Sequence, residues 1–174
     1  MQNQTTGTPR RWAKHMAAAL SLLLWAGAPA AAQRIVLPTG EYMDTTSLRN
    51  PGCGAPFYQY YQVKGKYPVA SATLARQAQA FLQQRNGRYT GTGLITFRFG
   101  IDCEGKRLPW TKVLQTDAAY RPTHFAPALV EALYAYLQTL TDWRRASGPN
   151  REPANYLTLL SFRIQDGKVV AVTP

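Results

Sequence analysis

The sequence predicts an α+β domain, a small antiparallel sheet (a hairpin plus a C-terminal strand) with two helices packed on one face. Three observations predict it. Ile95, Phe97, Phe99 and Ile101 alternate with Leu94, Thr96, Arg98 and Gly100, the period of two that gives a strand one apolar face. Leu129, Leu133, Tyr136, Leu137 and Leu140 recur at helical spacing and form one stripe. The order helix, hairpin, helix, strand means an antiparallel sheet with the helices on one face.

From the N-terminus, the first residues are not ordinary fold material. Arg10, Arg11 and Lys14 precede the apolar run MAAALSLLLWAGA, and Ala30-Ala31-Ala32 then offers a small-residue cleavage site before Gln33. Residues 1–32 therefore read as a cleaved signal peptide. A spanning helix needs about 20 strongly apolar residues. This run reaches that length only by including Ser21, Gly27 and Pro29, which leaves an uncleaved anchor as the alternative.

Residues 33–66 are punctuated by Pro38, Gly40, Pro51, Gly52, Gly54, Pro56 and Gly65 and read as an irregular segment, packed onto the domain through Phe57, Tyr58, Tyr60 and Tyr61. The domain is expected over residues 67–174. Its first helix runs from Ser71, as N-cap, to Asn86, with Leu74, Ala78, Phe81 and Leu82 on one stripe and Asn86-Gly87 as the stop. The strand GLITFRFGID follows, then DCEGK, then RLPWTKVLQT as a second strand whose Pro109 makes its start irregular or exposed. The second helix is expected near 123–140, with Pro127 in its first turn, where a missing N–H costs little. Last comes NYLTLLSFRIQDGKVVAVTP, a long strand broken or turned at Asp166-Gly167.

The chain carries 20 Lys+Arg against 9 Asp+Glu, a formal charge of +11. Removing Arg10, Arg11 and Lys14 with the signal leaves 17 against 9, or +8. In the cytoplasm such a balance would invite a nucleic-acid reading. For an exported protein the available anions are phospholipid headgroups, cell-wall polymers and acidic proteins. The strand TGLITFRF lacks the basic-Gly-aromatic start of an RNA-reading strand, having Thr92-Gly93-Leu94 there, so no nucleic-acid partner is expected.

Chemistry would have to centre on DCEGK, where Asp102 and Glu104 flank Cys103. Metal sites gather three or more ligands, and beyond the signal the only histidine is His124, at a predicted helix start. Two neighbouring carboxylates oppose the thiolate that a nucleophilic Cys103 would need. No G-x-S-x-G, H-E-x-x-H or C-x-x-C motif occurs, and GRYTGTG enters a strand rather than opening a helix. DCEGK therefore reads as a hairpin turn, with Gly105 free to take positive φ. No catalytic residue, metal or cofactor is expected, and the chain does not read as an enzyme. The two cysteines, Cys53 and Cys103, suit a compartment that permits oxidation. Pairing them would staple the irregular segment to the turn and contribute roughly 3–4 kcal/mol in the chain-entropy model; two unpaired thiols are the alternative.

GTGLITFRFGIDCEGKRLPWTKVLQTD, FAPALVEALYAYLQTLTDWRRA and YLTLLSFRIQDGKV together resemble the C-terminal domain of TonB-type energy transducers, over about residues 67–173. The positions that carry the resemblance are Gly93, Ile101, Asp102, Gly105, Lys106, Val113, Leu129, Leu133, Trp143, Phe162, Ile164, Gly167 and Lys168. The chain departs from that pattern at Trp143-Arg144-Arg145-Ala146, which lacks the family's proline, and at Tyr67-Pro68, which lies a helix too far upstream. With the signal cleaved, it also departs in having neither the inner-membrane helix nor the Pro-rich spacer.

The resemblance implies a domain detached from its usual anchor, a binding module of the periplasm or cell envelope that does not transduce energy. It further implies β-augmentation along the final strand, which assigns partner binding to Tyr156, Thr158, Leu160, Phe162, Arg163 and Ile164. Because Leu157 and Leu159 make its other face apolar too, that strand is either central or regularly covered. The expected partner is an envelope protein, with an outer-membrane TonB-dependent receptor as one case, or a cell-wall polymer. The alternative function is a small exported structural protein whose partner is the cell wall or another copy of itself.

Overall fold

β3 (Gly93–Ile101), the strand that the alternation predicts, lies inside the sheet rather than at its rim. The structure is a computed structural model and describes residues 40–46, 50–54, 56–63 and 65–174. The expected signal peptide, residues 1–32, and its cleavage site lie outside the described residues.

β3 runs antiparallel to β4 (Arg107–Asp117) on one side and to β6 (Pro153–Gln165) on the other, with Phe97 opposite Val113 and Leu160. β1 (Glu41–Asp44) extends the sheet beyond β4. β6 has two neighbours on its far side. β2 (Phe57–Gln59) lies parallel along Asn155–Leu157, and β7 (Lys168–Thr173) lies antiparallel along Ser161–Gln165. The two-residue β5 (Ala146–Ser147) pairs with the start of β6. The fold is α+β, among the described residues an open and largely antiparallel arrangement of seven strands with two helices.

Two expectations change here. The segment 33–66 is not wholly irregular, since it supplies β1 and β2. The strand expected at an open edge is central, because Asp166-Gly167 turns the chain back as β7 and FYQ covers the other end.

α1 (Ser71–Gln84) buries Leu74, Ala78 and Leu82. Ser71 is its first helical residue and Ala70 its N-cap, without a side-chain cap, one residue from the expected boundary. α2 (Pro127–Gln138) buries Leu129, Leu133 and Leu137. It begins later than the spacing suggests because residues 123–125 instead run beside β4, where the Thr123 and Phe125 amides donate to the carbonyl and side-chain oxygens of Gln115. Pro127, lacking an N–H, suits the first turn.

Ile95, Phe97, Phe99 and Ile101 meet these helices and are fully buried, as are Leu129, Leu133 and Leu137. Burying each such side chain is worth roughly 1.5–3 kcal/mol. Phe97 packs edge-on to Phe162 at 5.9 Å, and Trp143 closes one end between Tyr67 at 4.7 Å and Phe99 at 5.0 Å. The Trp143 indole N–H donates to the Leu140 carbonyl, so its one polar atom is satisfied in the core. At the rim of the sheet α1 packs against β7, where the Val169 amide donates to Gln79 Oε1 at 2.8 Å. No helix of the described residues is long and apolar enough to cross a membrane.

Candidate functional site

DCEGK is the β3–β4 turn. The Asp102 amide donates to the Lys106 carbonyl at 2.9 Å, and the Gly105 amide to the Asp102 carbonyl at 3.0 Å. Gly105 has φ +82°, and a Cβ there would stand 2.7 Å from the Trp143 carbonyl oxygen, so glycine is required twice over. The Asp102 carboxylate is buried and fully engaged. Oδ1 accepts from the Glu104 and Lys106 amides, and Oδ2 from Asn50 Nδ2 at 3.0 Å. Glu104 points to solvent and pairs with Lys106 at 2.7 Å. The two carboxylates that sequence places side by side thus do different work, one folding the turn and the other solvating it.

Cys103 is bonded to Cys53, their Cα atoms 5.6 Å apart. Asn155, which the sequence reading missed, holds both halves of the staple. Its Nδ2 donates to the Cys53 carbonyl at 3.1 Å, and its Oδ1 accepts from the Cys103 amide at 2.9 Å. The available signal was an amide side chain at the head of an apolar strand, where a buried polar group must find partners. A cleft of about 440 Å³ opens beside the staple, walled by Asn50, Cys53, Phe57, Asp102, Leu108 and Asn155. Its charged group, Asp102, is committed to the turn. His124 is exposed and pairs with Glu41 at 3.2 Å. Among the described residues no three His, Cys, Asp or Glu side chains gather as a metal site.

The expected partner strand is distributed otherwise than its edge role requires. Tyr156, Thr158, Leu160, Phe162 and Ile164 are buried in the core, and of the six Arg163 alone is exposed. The Tyr156 hydroxyl donates to the Arg144 carbonyl at 2.8 Å, and burial holds its pKa well above the usual phenol range. Burial likewise pushes Tyr136 up to about 12. The Leu157 carbonyl accepts from the Tyr60 amide, so odd-numbered residues of β6 aim their backbone groups away from β3, toward β2 and β7. Those groups are the ones an added strand would need.

The opposite face of the sheet carries no helix among the described residues. Leu94 and Arg98 of β3, Trp110, Lys112 and Leu114 of β4, and Leu157 and Leu159 of β6 are half-buried there, outside the core cluster. Thr96 and Ser161, opposite each other, share a 2.9 Å hydrogen bond at its centre. Gly100 leaves room for Leu108 and Phe57 to close over it at one end. Tyr42 of β1 stands edge-on to Trp110 at 5.9 Å, with the Lys112 ammonium 4.6 Å from its ring centre. Arg98 and Arg163 make no ion pair among the described residues.

Comparison of the chain with protein-family models, with curated proteins and with solved structures finds no match.

Proposed function

We propose that this chain is an exported, non-catalytic protein-binding module of the periplasm or cell envelope. The observation that carries the reading is the Cys53–Cys103 bond, with its neighbouring carboxylate and amides all engaged in holding the turn. A structural disulfide suits an oxidising compartment, and the residues that sequence offered as a reactive cluster are committed to architecture. A half-buried apolar face outside the core supports binding rather than a purely inert surface.

The TonB C-terminal likeness belongs to this proposal. The hairpin β3–β4, helix α2 and strand β6 stand in the order that the likeness implies. An added receptor strand would have to displace β7 or β2 from β6, so the proposal does not rest on strand addition there.

The test is fractionation of the native host with intact-mass measurement, followed by pull-down from solubilised envelopes. Processed chain near Gln33 with no titratable thiol, recovered in the envelope and retaining a protein, is the expected result. Unprocessed cytoplasmic chain with two free thiols would overturn the reading.

A further inference from the structure

The face without a helix among the described residues poses a specific chemical problem. Its leucines lie to either side of Arg98, which sits on the central strand with Lys112 directly opposite on β4 and Leu159 opposite on β6. Whatever covers Leu94, Leu114 and Leu159 also takes Arg98 and Lys112 out of water. Burying an unpaired cation is costly, and burying one against a carboxylate is tolerable. Among the described residues no strand carboxylate is available to Arg98 or Lys112: Glu41 lies opposite Val113 and Asp44 opposite Thr111, both on the helix side, and Asp117, at the far end of β4, is taken up by Arg121. The covering surface must therefore bring its own negative charge.

We propose that this face docks an acidic amphipathic helix of a partner protein, its apolar stripe over Leu94, Leu114 and Leu159 and its flanking carboxylates on Arg98, Lys112 and Arg163. The proposal rests on the protein-binding reading above and names the partner's chemistry. The dimensions agree: β4, β3 and β6 together span about 10 Å across, the width of one helix with its side chains, about 10–12 Å. Small residues at the centre, Thr96 and Ser161, leave a shallow floor between the leucines. Arg98 offers a planar fork that takes a carboxylate through two bonds.

Two other occupants fit less well. A second copy docked face to face would offer Arg98 and Lys112 cations and no free strand carboxylate. An anionic membrane favours exposed apolar groups with cations at the rim, whereas here the leucines are half-buried and Arg98 stands among them on the central strand.

The test uses the protein in the form its host produces and a synthetic helical peptide of about 18 residues, five turns, with a Leu stripe flanked by Glu. A twin peptide carries Lys for Glu, and phosphatidylglycerol vesicles serve as the lipid probe. The Glu peptide is expected to bind, to shift the Leu94, Leu114 and Leu159 methyl resonances, and to weaken about tenfold in Arg98→Glu, as loss of a charge pair does. Arg98→Glu should in turn gain binding of the Lys peptide. Arg163→Glu, at an exposed position, gives the same reversal more weakly and covers the case of an unfolded Arg98 variant.

Several outcomes overturn the proposal. These are no binding of the Glu peptide at about 1 mM, where only some 4 kcal/mol is required, equal binding of both peptides, or shifts at β1 and β2 amides instead of face methyls. Binding to vesicles without the peptide, or self-association abolished by Arg98→Glu, overturns it in favour of lipid or a second copy. Any of these results with processed, disulfide-bonded chain in the envelope removes this partner while leaving the exported binding module standing.

Discussion

Phe97 and Arg98 are neighbours in sequence, and they belong to opposite faces of one sheet. Phe97 has no exposed surface and packs between Phe162 and Tyr134. Arg98 is half-buried, beside leucines, with no ion pair among the described residues. The face bearing Phe97 is closed by two helices and by aromatic rings in edge contact, and the Trp143 N–H and the Tyr156 hydroxyl are bonded there. The face bearing Arg98 is apolar in part, through Leu94, Trp110, Leu114, Leu157 and Leu159, yet no helix among the described residues closes it. Pleating thus lets one strand divide its duties: every second residue specifies the fold, and those between are released to face something else.

That division can be broken by experiment. The largest effect belongs to the covered face: Phe97→Ala should cost about 3–5 kcal/mol, read as a lower urea midpoint. A midpoint moved no further than that of Arg98→Ala would abolish the contrast between the faces.

Close behind stands the staple that anchors β2 at the end of the free face. Replacing Cys53 and Cys103 together by Ser opens a loop closed across 50 residues, worth about 4 kcal/mol in the chain-entropy model. A large fall in melting temperature is expected, with the Phe57 end of the free face loosening first.

A smaller effect comes from alkali. Tyr136 and Tyr156, on the helix side, keep their protons to higher pH in the fold than the value of 10.0 that an unfolded tyrosine shows. The folded chain therefore holds more protons above pH 10.0, so their contribution is complete below that pH and is lost as pH rises beyond it. The unfolding free energy should fall by up to about 1.4 kcal/mol per pH unit for each tyrosine as pH rises from 10.0 toward the folded pKa, and Tyr136→Phe should flatten the slope.

The smallest effects belong to the free face. Leu159→Ser and Arg98→Ala should each change stability by less than about 1 kcal/mol, measured in the same urea titration. A core-sized loss at Leu159 would mean that this face is closed within the chain itself.

The elements with a strong local period were legible in the sequence. β3 announces itself by alternation, the two helices by their leucine stripes, and the turns by Asp102-Cys103-Glu104-Gly105 and Asp166-Gly167. The pairing of distant segments was not. Phe57-Tyr58-Gln59 is too short to show alternation, and its parallel seat on β6 lies beside Asn155 and beside a disulfide from Cys53 to Cys103, with Asn155 and Cys103 both distant from it in the chain. β6 did carry a clue. Leu157 and Leu159 are apolar between core positions, which suits a strand with neighbours on both sides better than an edge. Sequence could place the turn and the cysteines of the candidate site, but not the free face, because a face exists only once three strands are in register.

Gln79 has a consequence that reaches beyond one molecule. Sheets with bare rims invite copies to join end to end, a hazard that grows with protein concentration. By accepting the Val169 hydrogen bond, Gln79 ties α1 over the rim strand β7. A growing filament would first have to peel away a whole helix to add a strand there, so crowding alone does not set the chain polymerising from that side.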